Sequence, residues 1–98
     1  MPLTVTETGT FATPNGSKYL QQLCKHFGHK VDVDYDHQTG TVAFPMGPAK
    51  MQADETGLTV VFTLSKPEDV PAAHSVIDSH LETFAFREDF KGMVWQSA

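Results

Sequence analysis

The apolar residues of this chain change their spacing three times, near Ser17, Lys30 and Pro67, and those changes leave few folds open. Leu3, Val5, Glu7, Gly9 and Phe11 alternate with Thr4, Thr6, Thr8 and Thr10. A period of two in β-forming residues predicts a strand whose threonines face water. From about Ser17 to Phe27 the period lengthens. Leu20, Leu23, Cys24 and Phe27 fall at i, i+3, i+4 and i+7, one apolar stripe of a helix. Thr13-Pro14-Asn15-Gly16 separates the two elements, and Asn15 or Ser17 is the expected helix cap. Gly28, which tolerates the left-handed backbone, is the expected helix end.

Period two then returns. Val31, Val33 and Tyr35 alternate with Asp32, Asp34 and Asp36 as a second strand, and His37-Gln38-Thr39-Gly40 reads as a turn. Val42 and Phe44 mark a third strand, ended by Pro45-Met46-Gly47-Pro48. Ala49, Met51 and Ala53 mark a fourth, shorter one. Asp54-Glu55-Thr56-Gly57 is a hairpin turn, and Leu58, Val60, Phe62 and Leu64 form the strongest strand. Helical spacing resumes at Val70, Ala73, Ile77, Leu81 and Phe84, so a second helix runs from about Pro67 to Phe84. The tail carries Phe86, Phe90, Val94 and Trp95 and is expected to pack back, with room for a short strand. The order β-α-β-β-β-β-α predicts an α+β two-layer sandwich, a mainly antiparallel sheet with both helices on one face. Thr4, Thr6, Thr8, Asp32, Asp34, Thr41, Lys50, Thr59 and Thr63 would form a solvated opposite face.

Ninety-eight residues suit one domain, 1–98, and a chain of this size buries roughly 60–65% of its unfolded surface. A hydrophobic fraction of 40% with 19% charged residues is globular composition. A net charge of −5 disfavours nucleic acid, whose phosphates demand an excess of Lys and Arg. One cysteine excludes an internal disulfide. The start lacks the basic and apolar regions of a signal peptide, and no stretch approaches the ~20 apolar residues of a membrane span. A reducing bacterial-type cytoplasm is the expected location.

Two stretches carry a resemblance. Ser17-Lys18-Tyr19-Leu20, continued by Gln22-Leu23-Cys24-Lys25-His26-Phe27-Gly28-His29-Lys30, is one; His80-Leu81-Glu82, then Phe84-Ala85-Phe86-Arg87-Glu88 and a later Trp95, is the other. The chain resembles a bacterial family known as domain of unknown function 2218, and the two motifs frame nearly all of it. The resemblance implies a small stand-alone bacterial protein and supplies no catalytic residue. Some members of that family stand beside, or are joined to, siderophore-interacting flavoproteins, which implies an association with iron acquisition.

The chemistry on offer concentrates at residues 24–30. Cys24, His26 and His29 are ligand types in a short window, with His80 as a fourth, so a zinc, iron or haem site is one reading. On an ideal helix Cys24 and His26 point about 200° apart and His26 and His29 about 60° apart, so only the second pair shares a face. Cys24 lies on the apolar stripe, where burial and the helix dipole disfavour the thiolate, and is expected to be core. No acid is seen to orient a histidine as a catalytic triad requires. Residues 17–30 hold Lys18, Lys25 and Lys30 and no acid, leaving −8 on the rest of the chain. Basic residues also satisfy a helix C-terminus, and that is their structural purpose. His80 is expected to be half-buried and hydrogen-bonded, and Arg87-Glu88 to pair locally or to cap the second helix. The leading reading is a non-enzymatic accessory or binding protein, associated with iron or siderophore handling, whose surface uses Lys25, His26, His29, Lys30 and Arg87. Its partner would be an acidic protein or an anionic small molecule. The metal or haem site on Cys24, His26, His29 and His80 is the alternative, and an enzyme the third.

Overall fold

The computed structural model describes residues 5–88, 90 and 92–97; Leu3 and Thr4, expected in the first strand, lie outside them. The elements are β1 (Val5–Ala12), α1 (Gly16–Phe27), β2 (Val33–Tyr35), β3 (Thr39–Phe44), β4 (Gly47–Asp54), β5 (Gly57–Leu64), α2 (Val70–Phe84) and β6 (Val94–Ser97). Short 3-10 turns at Pro67–Asp69 and Phe86–Glu88 flank α2. The α+β order expected from the periods holds, and the tail adds a sixth strand. All strand neighbours are antiparallel in the order β2-β3-β4-β5-β1-β6.

One register joins the inward residues across the sheet. Glu7 sits opposite Phe62, Phe62 opposite Ala49, and Ala49 opposite Val42. One row along, Gly9, Val60, Met51 and Gly40 are aligned in the same way. Both helices cover this face. Leu20, Leu23 and Cys24 of α1 and Ala73, Ile77 and Leu81 of α2 are fully buried with Val42, Met51, Val60, Phe62 and Leu64. Thr10, Thr41, Lys50, Gln52 and Thr63 point outward and are exposed, the solvated face that the alternation predicts.

Two glycines admit side chains from across the core. An ideal Cβ on Gly40 would lie 2.7 Å from Cys24 Sγ, so Gly40 makes room for the thiol. A Cβ on Gly9 would lie 2.8 Å from the Trp95 ring, and Trp95 is the residue paired with Gly9 in the β1–β6 ladder. The indole lies over the bare glycine backbone and so seals the edge of the core.

Four local expectations are corrected. Neither Asn15 nor Ser17 caps α1 through its side chain: Asn15 Nδ2 reaches Glu88 and Ser17 Oγ donates to the His37 carbonyl. Gly28 is right-handed (φ −60°, ψ −15°), because the chain continues the turn and Val31 N–H still bonds the Phe27 carbonyl. The turn before β3 is shorter than expected. Asp36 accepts the N–H groups of Gln38 and Thr39, so Thr39 and Gly40 are already strand. β4 is as long as β5 at 8 residues each, since the Asp54 carboxylate ties Thr56 and Gly57 into a tight hairpin that keeps the ladder in register from Ala49 to Gly57.

Candidate functional site

The C-terminal end of α1 lies against the middle of α2, and there the sequence-distant His26 and His80 meet. Their Nε2 atoms are 3.0 Å apart. His80 Nδ1 lies 2.6 Å from the Val76 carbonyl, one turn back on its own helix. A carbonyl only accepts, so His80 carries its proton on Nδ1 and presents a bare Nε2 lone pair. His26 Nε2–H donates to it. Phe27 packs edge-on to both imidazoles, with ring centroids at 5.6 and 4.9 Å, and Phe84 lies 6.3 Å from each. Partial desolvation against these rings holds the His26 imidazole below its ordinary pKa, and the charges of His80, Lys30 and His29 push the same way.

Beside the pair opens a cleft of about 400 Å³. Phe27, Val31, Phe44, Pro45 and Val76 supply its apolar walls, and His26, Lys30 and His80 its nitrogen-bearing rim. Phe44 meets Phe27 edge-on at 4.9 Å and lies nearly parallel to Phe62 at 5.6 Å, so the wall is anchored in the core. The cleft exists because α1 ends at Phe27 while the chain still has to cross to β2. The 28–31 turn brings Lys30 and Val31 over the gap between the helices and the β3 end.

At the other end of α1 a second polar cluster joins the same two regions. Glu88 Oε1 accepts the Thr13 hydroxyl at 2.6 Å, and Oε2 accepts Asn15 Nδ2 at 3.0 Å and the Tyr19 hydroxyl. The Thr13, Tyr19 and Asn15 hydrogen bonds hold the Glu88 carboxyl below the usual range, while burial and then Glu88 push Tyr19 up to about 12. This corrects the expected Arg87-Glu88 pair. Glu88 turns inward to the β1–α1 loop because three donors converge there, and the exposed Arg87 guanidinium lies 5.5 Å from its neighbour Phe86's ring.

A family model described as an uncharacterized protein conserved in bacteria (DUF2218) matches residues 8–96, a span that includes both clusters. The chain belongs to that family. None of the curated proteins matches it. The NMR structure of PA4090 from Pseudomonas aeruginosa superposes on this DUF2218 chain with a TM-score of 0.77, covering 94% of this chain and 95% of that one at 23% identity. That likeness establishes a shared fold.

Of the residues singled out in the sequence, His26, Lys30 and His80 share the cleft of this DUF2218 protein. Lys25, in the last turn of α1, and His29, on the turn that follows, are exposed beside it, and Arg87 is not among the cleft residues. Cys24 faces away, fully buried 4.0 Å from Met51 Sδ, and burial pushes its thiol up to about 11. The expected ligand set of Cys24, His26, His29 and His80 is therefore not assembled as a unit. Among the described residues no three His, Cys, Asp or Glu side chains gather as a metal-holding group. Also among the described residues, no helix is long and apolar enough to cross a membrane.

Sequence reasoning missed one acid–histidine pair. Glu7, 2% exposed, lies 2.7 Å from His74 Nε2, and the His74 ring stacks on Trp95 at 4.3 Å and 13°. Trp95 Nε1–H in turn donates to Asp78, which also accepts the Met93 N–H. The signal was present in the alternation itself, which places Glu7 on the side of Val5 and Phe11. A carboxylate on an inward face requires a buried partner.

Proposed function

We propose that this DUF2218 protein is a non-enzymatic binding protein whose ligand is a small carboxylate with an aromatic or branched apolar body, held in the cleft between α1 and α2. The supporting observation is the chemistry of that cleft: five apolar side chains for walls and three nitrogen-bearing ones for a rim, in about 400 Å³. The volume falls in the range of about 300–1,000 Å³ usual for small-molecule sites. Lys30 supplies the charge that a carboxylate answers. A concave apolar floor favours a small molecule over an acidic protein, which needs a broader surface. Iron or siderophore handling is what the family resemblance adds; the cleft's own chemistry supports the anion.

A non-enzymatic reading rests on the state of the reactive groups. Cys24 is sealed in the core, where burial raises its pKa to about 11, so its thiol is not poised as a nucleophile. The test is an amide-shift titration with phenylacetate against its neutral analogue phenylacetamide. Phenylacetate is expected to move the resonances of residues 26–31, 44–46 and 76–80, and Lys30→Met to weaken it at least tenfold. An equal response to the neutral amide, or none to either compound, would refute the proposal. Shifts produced only by acidic peptides would move the assignment to a protein partner.

A further inference from the structure

We infer that His26 and His80 form a two-point chelate for a first-row transition-metal ion of tetragonal preference, copper(II) or nickel(II). Their Nε2 atoms are 3.0 Å apart, but the ring centroids are only 4.6 Å apart and the planes are inclined at 55°. Two imidazoles meeting in line would hold their centroids further apart, so the lone-pair directions are bent off the N···N line. Metal–nitrogen bonds of about 2.0–2.1 Å to two atoms at this separation enclose an angle of about 91–97° at the metal. That is the cis angle of tetragonal and octahedral coordination. A tetrahedral ion would need the nitrogens about 3.4 Å apart at the same bond length. Tetragonal nitrogen sites suit copper(II) and nickel(II), and copper(II) stands highest in the divalent affinity order.

The support around the pair is of the kind that orients metal-bound histidines. The His80 Nδ1–H is committed to the Val76 carbonyl at 2.6 Å, which leaves Nε2 bare and aimed. Phe27 and Phe84 brace both rings, and each histidine stands on or at the end of a helix, so little ordering is left for the ion to impose. Binding displaces the hydrogen that now bridges the pair. His26 moves that hydrogen from Nε2 to Nδ1, both Nε2 lone pairs go to the metal, and no net proton is released. Water fills the remaining positions. The chelate forms through the two imidazoles and does not use the Lys30 charge, so it is separable from the carboxylate reading.

The test uses the untagged full chain and the metal chloride alone. One equivalent of copper(II) is expected, with electron paramagnetic resonance showing two coupled nitrogens. The rise in Tm should fall in the order copper(II), nickel(II), zinc(II), and reach several degrees for copper at large excess. His26→Gln and His80→Gln should each lower copper affinity at least tenfold and abolish the two-nitrogen signature. His29→Gln, His37→Gln and Lys30→Met should retain both. His80→Gln also breaks the bond to Val76, so the exposed His26→Gln decides the matter if that variant folds poorly. Unchanged copper binding by His26→Gln, a spectrum with fewer than two nitrogens, or no binding by the wild type would overturn the site, and a larger response to zinc than to copper would overturn its geometry. Copper binding retained in Lys30→Met alongside lost phenylacetate binding would separate this site from the carboxylate reading.

Discussion

The two ends of α1 carry polar clusters of opposite character. At the N-terminal end, Thr13, Asn15 and Tyr19 converge on the single carboxylate of Glu88. At the C-terminal end, His26 and His80 bond each other at the rim of an apolar cleft. Both clusters tie the neighbourhood of α1 to α2 or the turn after it. The first uses both oxygens of its acceptor on fixed donors, so it works as a staple and offers little to a ligand. In the second, His80 is engaged at both ring nitrogens but His26 bonds through Nε2 alone, beside open space and a lysine. Saturation of hydrogen-bonding capacity is what separates a structural polar cluster from a candidate binding one.

That contrast can be broken or sharpened by substitution, beginning with the core that supports both ends. Phe62 is fully buried between Phe44, which walls the cleft, and Trp95, which covers Gly9. Phe62→Ala should cost about 3–5 kcal/mol in chemical denaturation and blur both ends together; a melt matching the wild type would mean that the inward face is misassigned. Glu88→Ala should cost about 2–4 kcal/mol, discounted for partial exposure, as three donors lose a charged acceptor. Tyr19→Phe removes one of those bonds and should cost about 1–2 kcal/mol.

The staple also has a pH signature. Hydrogen bonds from Thr13, Tyr19 and Asn15 depress the Glu88 carboxyl in the folded state. Its stabilisation is therefore fully present above the unfolded pKa, about 4.3, and fades as pH falls through the lower folded value. Wild-type stability should drop below about pH 4.3 more steeply than that of Glu88→Gln; parallel curves would remove Glu88 from the account. At the other end, His26→Gln should change stability by no more than about 0.5 kcal/mol, as befits an exposed side chain, while altering what the cleft binds. A destabilisation as large as that of Tyr19→Phe would make the histidine pair a second staple and erase the contrast. Cys24 provides the smallest readout. Its buried, raised-pKa thiol should resist Ellman's reagent at pH 8 in the native state and react on unfolding.

Residues that act through local spacing were legible in advance. Leu20, Leu23, Cys24 and Phe27 announced the buried stripe of α1, and Leu58 to Leu64 announced the central strand, because a period of 3.6 or 2 is a property of adjacent residues. The burial of Cys24 and the hydrogen-bonded, half-buried state of His80 follow from the same reasoning. The hairpin at Asp54 was equally local, since its carboxylate bonds Thr56 and Gly57, two and three residues on.

Tertiary structure decided the pairings between distant residues. His26 and His80 are 54 positions apart, Glu7 and His74 are 67 apart, and Tyr19 and Glu88 are 69 apart. No periodicity encodes such contacts. They exist because β1 enters the sheet between β5 and β6, which carries the chain's first strand beside its last and lays α2 against α1. Asn15, a capping residue by type, serves Glu88 instead for the same reason: the turn after α2 arrives at the start of α1 and a charged acceptor there outbids a helix cap. The sequence determined the elements, their inward faces and the basic segment at residues 24–30. The sheet order determined that His26 meets His80 at the rim of a cleft rather than Cys24 across a turn of helix, because a side chain's partner is set by which strands close the sheet and not by its neighbours along the chain.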